Sequence, residues 1–143
     1  MKARHSFVIL ALCIAGCTQH WGPADMKAAE DGVAAFHQAM NAGNYNAIYN
    51  GASPELKSSI TRDDFAKLMV GLHSELGNFR SGKTFGWSES DTHINTPAHL
   101  TLNREATFQR AAAMREQFIF RIENGRAILA GYNFHPRPPL SNG

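Results

Sequence analysis

A change of hydrophobic period at Gly77 constrains this chain more than any other feature. Upstream of it apolar residues recur every three or four positions, as on a helix with one buried stripe; downstream they alternate, as on a strand with one buried face. Ala29, Val33, Phe36 and Met40 make the first helical stripe, with Asp25 as its N-cap. Asn41-Ala42-Gly43-Asn44 ends that helix, and Tyr45, Ile48 and Tyr49 predict one or two further helical turns, closed by Gly51 to Pro54. A third helix opens at Thr61, where Asp64 three residues later makes a variant capping box, and carries Phe65, Leu68, Met69, Leu72 and Leu76 on one face.

Four alternating runs follow. In the first, Phe79, Lys83, Phe85 and Trp87 share one face while Arg80, Gly82, Thr84, Gly86 and Ser88 share the other. Leu100, Leu102, Ala106 and Phe108 alternate in the second, and Met114, Phe118, Phe120 and Ile122 in the third. Asn124-Gly125 then sits between two alternating runs, the pattern of a tight hairpin, and Ile128, Ala130, Tyr132 and Phe134 form the fourth. Helices followed by an antiparallel meander predict an α+β domain over residues 25–135, with the N-terminal helices packed on a four-stranded antiparallel sheet and a flexible tail over 136–143.

The amino terminus reads as a targeting segment. A basic start, Met1 to His5, precedes an uncharged run from Phe7 to Ile14 and the small residues Ala15 and Gly16. That run is far shorter than the roughly 20 residues a bilayer-spanning helix needs. Ile14-Ala15-Gly16-Cys17 resembles the bacterial lipobox. The resemblance implies a signal peptide over 1–16, lipid (diacylglycerol and fatty acyl, such as palmitate) on Cys17, and a short lipidated tether over 17–24. In that class Thr18 is not the aspartate associated with inner-membrane retention, so an exported protein anchored in the outer membrane is expected where there are two membranes. Of the two cysteines, Cys13 leaves with the leader and Cys17 is lipidated, so no thiol remains for a disulfide or a metal. The chain has fourteen Lys and Arg against twelve Asp and Glu, and loss of Lys2 and Arg4 balances them. No basic cluster is left to neutralise phosphates, so nucleic acid is not an expected partner.

The order of elements, Asn41 to Tyr45, the Glu116-Gln117-Phe118-Ile119-Phe120-Arg121 strand and the closing Leu129 to Asn133 together resemble a group of small uncharacterised exported bacterial domains. Those belong with the cone-shaped, nuclear-transport-factor-2-like or cystatin-like α+β folds. The resemblance covers Ala28 to Phe134 and implies a fold rather than a chemistry.

Glu116 is the most pointed residue. It is in phase with Met114, Phe118, Phe120 and Ile122, which aims a carboxylate at the interior, where it must be paired, hydrogen-bonded or protonated. Arg104 is equally out of place beside Leu102 and Ala106. A hairpin loop centred on Ala111 sets Ala106 opposite Glu116 and leaves Arg104 as its diagonal neighbour, within ion-pair reach. Two readings stand: a structural Arg104–Glu116 pair, or a pocket in which Glu116, with Tyr45 or Tyr49, handles a proton. The histidines outside the leader, His20, His37, His73, His93, His99 and His135, lack metal-ligand spacing, and His37 and His73 are expected to edge helix faces. No nucleophile elbow or phosphate loop occurs, and no cofactor or metal is expected. Gly82 and Gly86 read as points where a strand bends. Ten aromatics, including Phe36, Phe85, Trp87 and Phe118, are expected to converge between helices and sheet and either fill a core or line a cavity.

These readings favour a membrane-anchored, non-enzymatic lipoprotein that binds a protein partner or a small apolar ligand, with a homodimer through the sheet as a further partner. The alternatives are a small enzyme with Glu116 as general acid or base, and a structural envelope role through the outer sheet face at Arg115, Gln117, Ile119 and Arg121.

Overall fold

The computed structural model describes residues 21–90 and 97–136. The signal peptide, the lipobox with Cys17, the first half of the tether and the tail beyond 136 lie outside the described residues. The order of elements is α1 (Pro23–Asn41), α2 (Tyr45–Asn50), α3 (Pro54–Ser59), α4 (Arg62–Leu76), β1 (Phe79–Ser90), β2 (His99–Phe108), β3 (Met114–Glu123) and β4 (Arg126–Pro136). The four strands form one antiparallel sheet in the order β1-β2-β3-β4. The molecule is therefore α+β, with one helix more than the sequence predicts. No described helix is long and apolar enough to cross a membrane.

The helix starts follow local chemistry. α1 begins at Pro23, inside the expected tether, with Gly22 as N-cap; Asp25 sits one turn in and accepts the Gly22 N–H at 2.8 Å instead of being the cap. Pro at the first helical position costs nothing, because its missing N–H has no partner there in any case. The extra helix, α3, starts where a stop was expected. Ser53 caps it by accepting the Leu56 N–H, and Pro54 opens it as Pro23 opens α1. Thr61 caps α4 as its spacing predicts, accepting the Asp64 N–H at 3.2 Å. The α1 stripe buries Ala29, Val33, Phe36 and Met40 and adds His37. On α4, Phe65, Met69, Leu72 and Leu76 are buried, whereas Leu68 is half exposed because it lies at the rim of that stripe.

α1 lies against β3 and β4, and Gly32 marks the closest approach: a Cβ there would stand 3.1 Å from both the Phe120 ring and Ala127. Buried residues of the helices and of β2, β3 and β4 form one cluster centred on Phe118, which meets Phe36 edge-on at 5.1 Å and stacks with Phe120. The β3–β4 turn follows its residues. Asn124 (φ 51°) and Gly125 (φ 73°) both take the left-handed conformation that a two-residue hairpin turn requires.

β1 departs from strict alternation. Its register with β2 slips between Phe79 and Ser81 and again between Thr84 and Gly86, beside the glycines read as bending points. Each bulge inserts a residue and changes which face the following ones share. Thr84 consequently stands opposite buried Arg104, and Phe85, expected in the core, lies at the second bulge and is 50% exposed; that bulge restores the expected face for Trp87, which stands opposite buried Leu102 yet is also 50% exposed. Phe85 instead lies under the Arg115 guanidinium, 4.8 Å from the ring centroid.

A buried carboxylate network and an apolar groove

Glu116 points inward, as its phase predicts, and is 1% exposed. The β2–β3 register corrects its expected neighbours: Arg104, not Ala106, stands directly opposite it, and Ala106 faces Met114. The loop is centred on Arg110 rather than Ala111, with Ala113 in a left-handed conformation (φ 58°) and the Phe108 N–H bonded to the Ala111 carbonyl. A loop shifted by one residue moves partners by two positions, which is why every side chain keeps its predicted face.

Although they face each other, the two ions bond elsewhere. Arg104 Nη1 donates to Glu30 of α1 at 2.5 Å and to the Thr84 hydroxyl at 2.7 Å, and Thr84 in turn donates to Glu30. Glu116 Oε1 accepts the Tyr132 hydroxyl at 2.8 Å and lies 2.9 Å from His37 Nε2. An oxygen that already accepts from a phenol is best satisfied by a second donor, so His37 carries its proton on Nε2. His37 is 3% exposed and stacks on Phe79, with ring centroids 3.6 Å apart and planes 6° apart. Glu116 Oε2 and Arg104 Nε have no hydrogen-bond partner among the described residues. The result is a network that ties α1 to β3 and β4 through His37, Glu116 and Tyr132, and α1 to β1 and β2 through Glu30, Thr84 and Arg104.

Tyr45 and Tyr49, the tyrosines proposed to accompany Glu116, hydrogen-bond elsewhere. The Tyr45 hydroxyl is 2.7 Å from His73 Nδ1, whose Nε2 reaches Asn78 at 2.7 Å, while Tyr49 donates to the Ile60 carbonyl at 2.9 Å. Their place is taken by Tyr132, which projects from β4 one step diagonally from Glu116. His37 was the other residue misplaced by sequence reasoning. It sits four residues after Val33 and eight after Ala29, so the helical stripe itself carries the signal for its burial.

Burial pushes the Tyr132 phenol well above its ordinary pKa of 10.0, and the negative charge of Glu116 and its hydrogen bond push it further. The raised pKa fixes the sign of a pH effect. Below about pH 10 both folded and unfolded chains hold this proton; above it the unfolded chain releases the proton first, so stability falls as pH rises. In denaturant titrations the native chain is expected to lose stability more steeply above pH 10 than Tyr132→Phe, by up to about 1.4 kcal/mol per pH unit. Equal slopes for the two chains would contradict the network.

Among the cavities of the described residues are three that neither Glu116 nor His37 lines, although Tyr132 lines one of them. One, beside the β1–β2 pair, is lined by polar residues such as Ser81, Lys83 and Glu105. Another, between α3, α4 and β4, mixes Leu68 and Met69 with Ser59 and Asn133. The third, of about 250 Å³, runs between α1 and α2, and its lining side chains are all apolar. Gly32, Ala35 and Ala39 form its α1 wall and Ala47, Ile48 and Gly51 its α2 wall, over Phe120, Ala127 and Leu129 of the sheet. Small side chains on both helices are what leave the groove open.

The sequence pattern of a family described as a protein of unknown function, DUF4019, matches residues 33–132. The chain belongs to this family. The matched stretch contains His37, Glu116 and Tyr132 and almost all of the groove. A comparison with curated proteins finds no match. Among solved structures, a SEC-C motif containing protein from Rhodopseudomonas palustris is similar at 18% identity and a TM-score of 0.46, over 68% of this chain and 70% of that one.

Proposed function

We propose that this member of the DUF4019 family is an exported, lipid-anchored protein whose domain binds a small apolar ligand in the groove between α1 and α2, and that its fold is kin to the cone-shaped cystatin-like and nuclear-transport-factor-2-like domains. The observation that carries the binding role is the groove's lining: a concave site open to solvent with no polar side chain in its walls. Glu116, the carboxylate available for acid or base chemistry, is closed off in the core and committed to His37 and Tyr132. That commitment favours binding over proton transfer. The lipobox-like Ile14 to Cys17 supports the anchor and hence a ligand met at a membrane surface.

Two measurements test this reading. Mass analysis of the mature amino terminus from native membranes is expected to find Cys17 acylated, and the modification lost in Cys17→Ser; an unmodified terminus contradicts the anchor. Ala35 is exposed on the groove wall, so Ala35→Phe is expected to fill the groove without disturbing the core. It should weaken binding of an environment-sensitive apolar dye about tenfold or more while leaving Tm within a few degrees, since it removes the space rather than a contact. Undiminished dye binding would place the site elsewhere.

A further inference from the structure

We infer that the ligand of this groove is a single-chain amphiphile with an anionic head, a fatty-acid-type carboxylate, whose head is received by Lys57 and Arg62; the inference rests on the groove being the binding site. Both cations converge on Asn50, the residue that precedes groove-lining Gly51. Lys57 Nζ lies 2.9 Å from the Asn50 carbonyl oxygen, and Arg62 Nη1 lies 2.5 Å from the Asn50 side-chain oxygen. The Asn50 carbonyl belongs to the peptide bond with Gly51, and Gly51 lines the groove. Covalent geometry therefore sets the Lys57 ammonium within a few ångströms of the groove's end.

Both side chains are exposed, and among the described residues neither is in an ion pair, in contrast to Arg104 and Arg121, each of which has a carboxylate partner. Each is nonetheless held by a hydrogen bond to Asn50. Arg62 lies 5.1 Å over the Tyr49 ring, and Tyr49 is anchored by its bond to Ile60. Asn50 supplies only acceptor oxygens to the two cations, so their charge is directed but not neutralised. An anion at this end completes the pair, and the apolar walls running from Gly51 and Ala47 toward Ala35 and Gly32 accept the chain attached to it. A neutral apolar ligand would leave both cations unused, and a cationic one would be repelled.

The test titrates the full mature chain with dodecanoate, dodecanol and dodecylamine by displacement of the apolar dye. Dodecanoate is expected to bind about fivefold more tightly than dodecanol, a gap typical of exposed ion pairs, and dodecylamine most weakly. Added salt should narrow the gap. In Lys57→Gln/Arg62→Gln the acid and the alcohol should become equal, and in Lys57→Arg the gap should persist. Equal affinity of acid and alcohol in the native chain would overturn the head site while leaving the groove intact. A gap that survives in the double variant would overturn it too, by assigning the head to another cation. Failure of the dye and all three amphiphiles to bind would remove the groove reading itself, and this inference with it.

Discussion

Glu116→Ala is expected to lower the unfolding free energy by about 3–5 kcal/mol, the range for stripping one partner from a buried charged network. The loss is large because two donors are orphaned together. Both the Tyr132 hydroxyl and His37 Nε2 end on the same carboxylate oxygen, and Glu116 and His37 are buried where water does not compensate. Denaturant titration measures it, and a double-mutant cycle gives the argument its sharper form. His37→Ala with Glu116→Ala should cost clearly less than the sum of the single changes, because the first substitution has already broken the bond the second removes. Arg104→Ala paired with Glu116→Ala should couple more weakly, since the guanidinium is bonded to Glu30 and Thr84. If Arg104 and Glu116 couple strongly and His37 and Glu116 do not, the ion pair suggested by sequence is the correct account of the core.

Phe118→Ala should cost a comparable amount, about 3–5 kcal/mol, as is usual when a fully buried aromatic is truncated. Its ring is 0% exposed and packs against Phe36, Phe120, Tyr132 and His37, so truncation leaves a cavity walled by these rings. Phe85→Ala is its control. Phe85 was expected to share the core, yet the bulges in β1 turn it outward, and truncation there should cost under about 1 kcal/mol, mainly the loss of the Arg115 contact. Similar losses at both positions would mean that β1 alternates without bulges and that Phe85 is buried after all.

Those two phenylalanines show what was legible in the sequence and what was not. Helix stripes and strand parity are local periodicities, so Val33, Phe36, Phe118 and Glu116 were placed on the right face from spacing alone. Parity also survived the wrong loop centre between β2 and β3, because shifting a hairpin by one residue preserves faces while changing partners. A bulge has no such protection: one inserted residue inverts the positions after it until a second bulge restores them, and Gly82 and Gly86 signalled bending without saying which residue would be extra. α3 was hidden because Ser53-Pro54 suits both a turn and the start of a helix, and only the fold decides between them. The partners of Glu116 were beyond local pattern altogether. His37 comes from 79 residues away, and a histidine on an apolar stripe is uninformative until a carboxylate is known to face it. The groove was invisible for a related reason: alanines and glycines in α1 and α2 read as ordinary helix content, and their meaning is the space they leave once two helices meet over Phe120.

The division of labour between a closed carboxylate network and an open apolar groove is the centre of this account. It is tested most directly by mapping amide chemical shifts of the isotope-labelled mature chain during titration with dodecanoate. The account predicts perturbations concentrated along the α1–α2 walls, at Gly32, Ala35, Ala39, Ala47 and Gly51, extending to Lys57 and Arg62. Perturbations centred instead on His37, Glu116 and Tyr132 would contradict it, and would make the buried carboxylate the working part of the molecule.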